Sequence, residues 1–554
     1  MKIPRTTVQL CAFFFAFVVL LLHANAATAS TTNTYATLTA TGTGVDIYFA
    51  PAAAGNKDGT SCANAYAYND PTNGWSQSAQ QAAGNVLHVC PGTYTGSAGG
   101  NAFSTVNSGT SAAAITLICD QGSATFTAPY WSGSSGAWGA SKNYWVLNGD
   151  GNCTIANTSN GTGLTYAADS LGVQIQNATN VTVEGLTISN ICQHTSTSDT
   201  SGCATGGTND EGINISSSSN ITVTHNTVHD TYIGVGIWPK GNSNLTISNN
   251  TIYRTNWGVG GFNGGGSLSG AVITGNDISC VAGSANCNWD TTNDAFHHNG
   301  IIVFPQSGTI SGLVIANNYI HDINGYYGGT NEETSHIFLD PGGSGVISAP
   351  EIYNNVLVTT VGSGPSNAFI SGGIDIGYNT GVTGAIIANN TLSGPAGWGL
   401  GSDTNSIIEN NIVVGTGSVE YFDSGASGNT VNFNDGYGFS QGWANFATLA
   451  SWQSSSTSVC SGGCDKSSTS SSPSLNSDYS IPATSPAKGT GVNLTSLGIT
   501  GLDTGAPQYF GVKYACGSGC VLRSPTGNWD MGAYPSGSGA SYPGAPIGLT
   551  GTVQ

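Results

Sequence analysis

A six-residue unit, [Ile/Val]-x-x-Asn-x-[Ile/Leu/Val], returns seven times, with its Asn at Asn226, Asn250, Asn276, Asn318, Asn355, Asn390 and Asn411. Three residues before each Asn stands Val223, Ile247, Ile273, Ile315, Ile352, Ile387 or Ile408, and two after it Val228, Ile252, Ile278, Ile320, Leu357, Leu392 or Val413. The intervals of 24, 26, 42, 37, 35 and 21 residues are too irregular for a helical solenoid. They suit a coil of short strands whose loops vary in length. Alternation around the unit, as in Leu245, Ile247 and then Ile252, sends every second side chain toward a shared interior. Successive rungs then pair as parallel strands ~4.8 Å apart, and each Asn is expected to take the unusual backbone angles of the bend while its amide bonds to its neighbours above and below. On this reading the Asn column is structural, since its polar groups are spent inside the stack.

Composition agrees with one long repetitive body: of 554 residues 81 are Gly and only 7% are charged. The formal net charge of −19 disfavours nucleic acid or an anionic membrane as partner, and no run after the first thirty residues is long enough to span a bilayer. At the start, Lys2 and Arg5 precede an apolar run from Leu10 to Leu22 and small residues at Ala24 and Ala26, the pattern of a cleaved secretory signal over residues 1–26. The expected location is therefore extracellular or periplasmic. Cys11 lies inside that segment, leaving twelve cysteines for disulfides. Local pairs are expected at Cys192–Cys203, Cys280–Cys287, Cys460–Cys464 and Cys516–Cys520, with Cys62, Cys90, Cys119 and Cys153 pairing among themselves.

With the Asn unit in place, the stretch Ile47-Tyr-Phe-Ala-Pro, Asp58-Gly-Thr and Val89-Cys-Pro-Gly-Thr-Tyr94 resembles the first-coil entry of the right-handed parallel β-helix, pectin-lyase-like superfamily of secreted carbohydrate-active proteins. Ser485-Pro-Ala-Lys-Gly and Asn528-Trp-Asp-Met-Gly-Ala-Tyr534 resemble closing segments of such proteins. The resemblance implies an all-β solenoid. Trp75 to Ala83 is read as a small amphipathic helix capping its open end. The expected organisation is N-terminal cap and first coils at 30–110, β-helix at 111–435 and a loop-rich capping segment at 436–554.

Rungs aligned on the Gly-Ile step that opens the next strand reveal where loops are inserted. Val228 to Gly236 and Ile252 to Gly261 are short, whereas Ile188 to Gly212, Ile278 to Gly300, Ile320 to His336 and Leu357 to Gly373 are long at the same turn. A groove with raised walls follows, its floor at the two short rungs. Ionisable residues gather in the walls: Asp210 and Glu211, then Asp294, His297 and His298, then His321, Glu332 and His336. The floor supplies His229, Asp230, Trp238, Lys240, Tyr253, Arg254 and Trp257. Lys240 and Arg254 are the only basic Lys or Arg residues between positions 150 and 450.

Two chemistries can use this groove. In β-elimination from a uronic acid, a positive centre neutralises the carboxylate and a base removes the C5 proton. Asp210, Glu211, Asp294 and Glu332 are candidates to hold calcium for the first task, and His298, His297, Arg254 or Lys240 to act as base. In glycoside hydrolysis, two carboxylates among Asp210, Glu211 and Asp294 act as acid and as base or nucleophile. Trp238, Trp257, Tyr253, His229 and His336 are the candidate contacts to a polysaccharide. A polysaccharide lyase is the leading expectation, a glycoside hydrolase the next, and a non-catalytic adhesin or glycan-binding surface protein the third. The superfamily's known catalytic signatures are not complete in this chain, so the resemblance transfers no catalytic residue. The sequence does not fix the sugar, the metal or the oligomeric state.

Overall fold

The computed structural model describes residues 44–193, 210–237, 241–264, 266–279, 299–321, 335–358, 373–377, 382–394, 397–401, 403–415, 419–422, 425–436, 439–441, 444–497, 523 and 526–536. Its strands pair in parallel from rung to rung and wind into a right-handed β-helix, the hand that twisted L-strands impose on parallel crossovers. Each rung contributes to three faces. In one rung Val223, Val228 and Val235, and in the next Ile247, Ile252 and Val259, point inward and are fully buried in one continuous core. Burying each such side chain stabilises by ~1.5–3 kcal/mol. Register confirms the stacking, for Val183 lies beside Val223, Val223 beside Ile247, and Ile247 beside Ile273.

The Asn column is a hydrogen-bonded ladder. In Asn318, for example, the backbone N–H and Nδ2 both donate to Oδ1 of Asn355 at 3.0 Å, and Nδ2 also donates to the Ile273 carbonyl at 2.9 Å. The same bonds run from Asn226 to Asn411 and on to an eighth member, Asn434. One detail differs from expectation. The left-handed residue at this bend is the one before the ladder Asn: His225, Asn249, Gly275, Asn317, Asn354, Asn389 and Asn410 have φ between 52° and 66°. The ladder Asn itself keeps ordinary angles, which aims its amide along the stack.

The Gly-Ile step has a steric cause. A Cβ on Gly212, Gly234, Gly258 or Gly300 would lie 2.3–2.5 Å from a branched carbon of Val228, Ile252, Ile278 or Ile320. These glycines let the interior corner close on the β-branched core.

Both ends are plugged by tryptophan, but only the far plug is helical. The segment expected as an N-terminal cap helix is a string of turns, with Gln77 N–H bonded to the Gly74 carbonyl and Gln80 N–H to that of Gln77. Buried Gln81 ties these turns to the next coil: its Nε2 donates to the Trp75 and Ser104 carbonyls, and its Oε1 accepts from Val106 N–H at 2.7 Å. Trp75 still enters the core, stacked on Tyr94. At the other end the helix Leu449–Ser455, capped by Thr448, inserts Trp452, whose Nε1 donates to Asp465 at 2.8 Å.

Disulfides join Cys62 to Cys90, Cys119 to Cys153 and Cys460 to Cys464, and Cys192 is also disulfide-bonded. Cys203, Cys280, Cys287, Cys516 and Cys520 lie outside the described residues. The C-terminal segment runs over the outside of the later rungs. Leu494 and Trp529 pack on Ala316, Tyr353 and Ala388, Tyr534 on Val356 and Val358, and Met531 with Ile481 on Ile412.

Candidate functional site

The inserted loops leave the cylinder at one corner. Ser279, His321 and Val358, the last residues before three of them, are register partners on the outer flank, and the chain returns at Asn299, Ser335 and Gly373 at the start of the Gly-Ile face. Among the described residues, Thr227–Ile237 and Thr251–Gly264 turn that corner as continuous strands. They do so through left-handed Asp230 and Arg254, with φ 53° and 50°.

At this corner four side chains meet. Nδ1 of His229 and Nη2 of Arg254 converge on one oxygen of Asp230, the imidazole at 2.6 Å and the guanidinium in close contact. Their sharing of one acceptor brings Nη2 within 3.2 Å of Nδ1. Tyr253 stacks on His229 with centroids 4.6 Å apart and lies beneath the Arg254 guanidinium. Burial works to raise the pKa of Asp230, but hydrogen bonds from His229 and Arg254, with their charges, outweigh it and hold the carboxyl below its ordinary range. Burial raises the pKa of the Tyr253 phenol, with Arg254 opposing. An ionised Asp230 accepts only, so it favours the His229 tautomer protonated on Nδ1 and leaves the lone pair on Nε2. The side chains of His229, Asp230 and Arg254 are 17%, 18% and 25% exposed, recessed yet reachable.

Further along the same flank, His321 binds Asp277 through Nε2 at 2.9 Å and stacks on Tyr319. The register His229, Tyr253, Ser279, His321 puts both pairs in one column. Asp277 was not singled out in the sequence. Its signal was an acid between ladder residue Asn276 and core residue Ile278, an outward strand position.

The other candidates fall elsewhere. Asp210 and Glu211 are fully buried: Asp210 accepts the Ser170 N–H at 3.1 Å, and Glu211 accepts from Asn214 at 2.7 Å with its carboxylate lying over Gly236. In these contacts Asp210 bonds to the neighbouring rung and Glu211 to its own strand, both where solvent and a sugar do not reach. Trp257 is 3% exposed and packs with Tyr232, Ile233, Ile302 and Phe338, so no ring face is free for stacking on a glycan. His336 is fully buried, Nδ1 accepting the Gly373 N–H at 2.7 Å and Nε2 donating to the Val358 carbonyl. Trp238, Lys240, Asp294, His297, His298 and Glu332 lie outside the described residues. Among the described residues no three His, Cys, Asp or Glu side chains converge as a metal site.

The chain is thus a right-handed parallel β-helix with a recessed ionic cluster at an uninserted corner. No family model matches it, and no curated protein matches it. Among solved structures it is similar to pectate lyase Pel9A, at 17% identity and a TM-score of 0.42, covering 89% of this chain and 97% of that one. It is also similar to a rhamnogalacturonan lyase, at 14% identity and a TM-score of 0.35, covering 68% of this chain and 84% of that one. The catalytic unit of a GH87 alpha-1,3-glucanase from Streptomyces thermodiastaticus matches at 15% identity and a TM-score of 0.38, covering 65% of this chain and 62% of that one. No residue role is carried over from any of them.

Proposed function

We propose that this chain is a secreted polysaccharide lyase that cleaves a uronic-acid-containing polymer at the His229 corner. The observation that supports this reading is the Asp230-ordered His229 beside Arg254 and Tyr253, half-buried where the flanking rungs carry insertions. Arg254 faces the substrate carboxylate and lowers the pKa of the C5 proton. His229 removes that proton through Nε2, the C5 electron pair forms a C4=C5 double bond, and the C4–O bond breaks, its oxygen leaving with a proton from solvent. Asp230 holds the imidazole in the required tautomer and stabilises the imidazolium. Tyr253 offers its ring edge and hydroxyl to the sugar.

The test incubates purified protein with a panel of acidic and neutral polysaccharides, following 235 nm absorbance and reducing ends together. Both signals rise for a lyase. Reducing ends without absorbance transfer the assignment to hydrolysis, and silence on all substrates supports a binding role. His229→Ala is expected to lower kcat by ~10²–10⁴-fold, the usual contribution of a general base, while Arg254→Ala raises KM for the uronate polymer as well.

A further inference from the structure

In the earlier rungs, the corner that Asp230 turns is built from loops 96–102, 129–137 and 158–170, every residue of which is described. Backbone bonds stack these loops on one another: Gly99 N–H donates to the Tyr130 carbonyl at 2.9 Å, and Thr158 N–H to that of Ala128 at 2.8 Å. Two tyrosines ride on them. Tyr130 and Tyr166 are both half-buried, with ring centroids 5.0 Å apart and planes inclined by 52°. Leu164, in the same loop as Tyr166, is 36% exposed, one of four large apolar side chains so exposed among the described residues. Buried amides hold the loops. Asn160 closes the second one on itself, Oδ1 accepting from Ala168 N–H and Nδ2 donating to the Ala168 carbonyl, both at 2.9 Å. Asn157 joins the two loops, since its Oδ1 accepts the Trp131 N–H at 3.0 Å and its Nδ2 donates to Ser170 Oγ at 2.9 Å.

We infer that Tyr130 and Tyr166 form a docking platform for an uncharged pyranose unit of a polysaccharide. The inference goes beyond the cleavage assigned to His229 and does not depend on it. Three features carry it. Trp131, fully buried, already fills the interior of this corner, whereas its neighbour Tyr130 and the paired Tyr166 keep part of their surface in solvent. A phenol ring meets the C–H face of a sugar and its hydroxyl meets the sugar's hydroxyls, at the entropic cost of only two side-chain torsions. Second, the closed amide bonding fixes the loops before a ligand arrives, so little ordering remains to oppose binding. Third, the charge selects a neutral sugar. Between Lys57 and Lys240 the sequence has one basic Lys or Arg, Lys142, and it lies in the next turn of the chain, between strands Trp138–Ala140 and Trp145–Asn157. The loop of Tyr166 instead carries Asp169, which a uronate would face as a like charge.

The probes are cellohexaose, xylohexaose and hexagalacturonate, titrated into the full chain by calorimetry. At least one of the neutral hexamers is expected to bind, to wild type and His229→Ala alike. Tyr130→Ala and Tyr166→Ala should each weaken it roughly tenfold with an unchanged melting temperature, and Tyr166→Phe, which keeps the ring, should retain most of the affinity. Leu164→Asp alters an exposed position that the fold does not need, adds a charge to the same loop and is expected to weaken binding too. Hexagalacturonate affinity should not respond to the tyrosine variants. Absence of binding by both neutral hexamers, or binding indifferent to the alanine variants and to Leu164→Asp, overturns the platform. A hexagalacturonate affinity that falls with the tyrosines overturns its preference for neutral sugar. Tyrosine-dependent binding in a chain that cleaves no polymer overturns the lyase reading and leaves the platform standing.

Discussion

Asp230 takes two donors on one carboxylate oxygen, and the consequence is measurable apart from catalysis. Its pKa is lowered in the folded chain, so its contribution is fully present above the unfolded value, ~3.9, and is lost as pH falls through the folded value. Asp230→Asn is therefore expected to cost ~1–3 kcal/mol at pH 7, the worth of hydrogen bonds to a charged group, and less at pH 3, already below the unfolded value. Urea melts at both pH values check this; an equal loss at each would remove the ionic explanation. The same residue illustrates what a sequence conveys about a site. His229, Asp230, Tyr253 and Arg254 were legible because short rungs between long ones mark a floor. Asp210, Glu211, Trp257 and His336 are buried instead, and a polar spelling such as Asn-Asp-Glu-Gly does not reveal that its carboxylates are spent on the Ser170 N–H and the Asn214 amide.

At the scale of one rung, the Asn unit carries both register and stability. Replacing Asn318 by Ala removes the acceptor for two donors of Asn276 and the Nδ2 amide that donates to Asn355 and Ile273, all inside the stack. A loss of ~2–4 kcal/mol is expected, from one or two buried groups left unsatisfied. Gly234 makes a different prediction, since its Cβ would lie 2.5 Å from Ile252 Cγ2 and 2.4 Å from the Gly258 carbonyl. Gly234→Ala overpacks the corner by ~1–3 kcal/mol, and pairing it with Ile252→Ala, which removes Cγ2, should show a favourable coupling that offsets part of that in a double-mutant denaturation cycle. The repeat is readable because each core position is Ile, Val or Leu and each ladder position is Asn. Asn434 escaped because Gly436 occupies the apolar position two residues later. Amphipathic spacing around Trp75 fits a helix, whereas in the structure buried Gln81 binds the Trp75 carbonyl and the Val106 N–H of the next coil, a long-range contact that local spacing does not show.

Over the whole molecule, the acid excess meets a long buried surface, and several carboxyl groups are carried partly into it. Burial raises Glu351 to about 6, and Glu409 and Asp435 to about 7. Two of them flank the face on which the C-terminal segment packs, Glu351 beside Ile386 and Glu409 beside Ala388, and Asp435 follows Ile412 on the adjoining one. The sign is opposite to that of Asp230. A raised carboxyl pKa means the folded chain binds the proton more tightly than the unfolded one, so stability is lost as pH rises from ~4 through 6–7. The protein should therefore melt at a higher temperature at pH 5 than at pH 8, in low salt and at equal concentration. Asp435, fully buried with neither carboxylate oxygen hydrogen-bonded, should dominate. Asp435→Asn stays neutral throughout and is expected to shrink the difference between pH 5 and pH 8 by ~2 kcal/mol. Were the variant to keep the full wild-type slope, the dependence would belong to Glu351 and Glu409, and the matching Gln substitutions would locate it. A molecule tuned in this way is most stable in mildly acidic surroundings, where the ion pair at Asp230 is still intact.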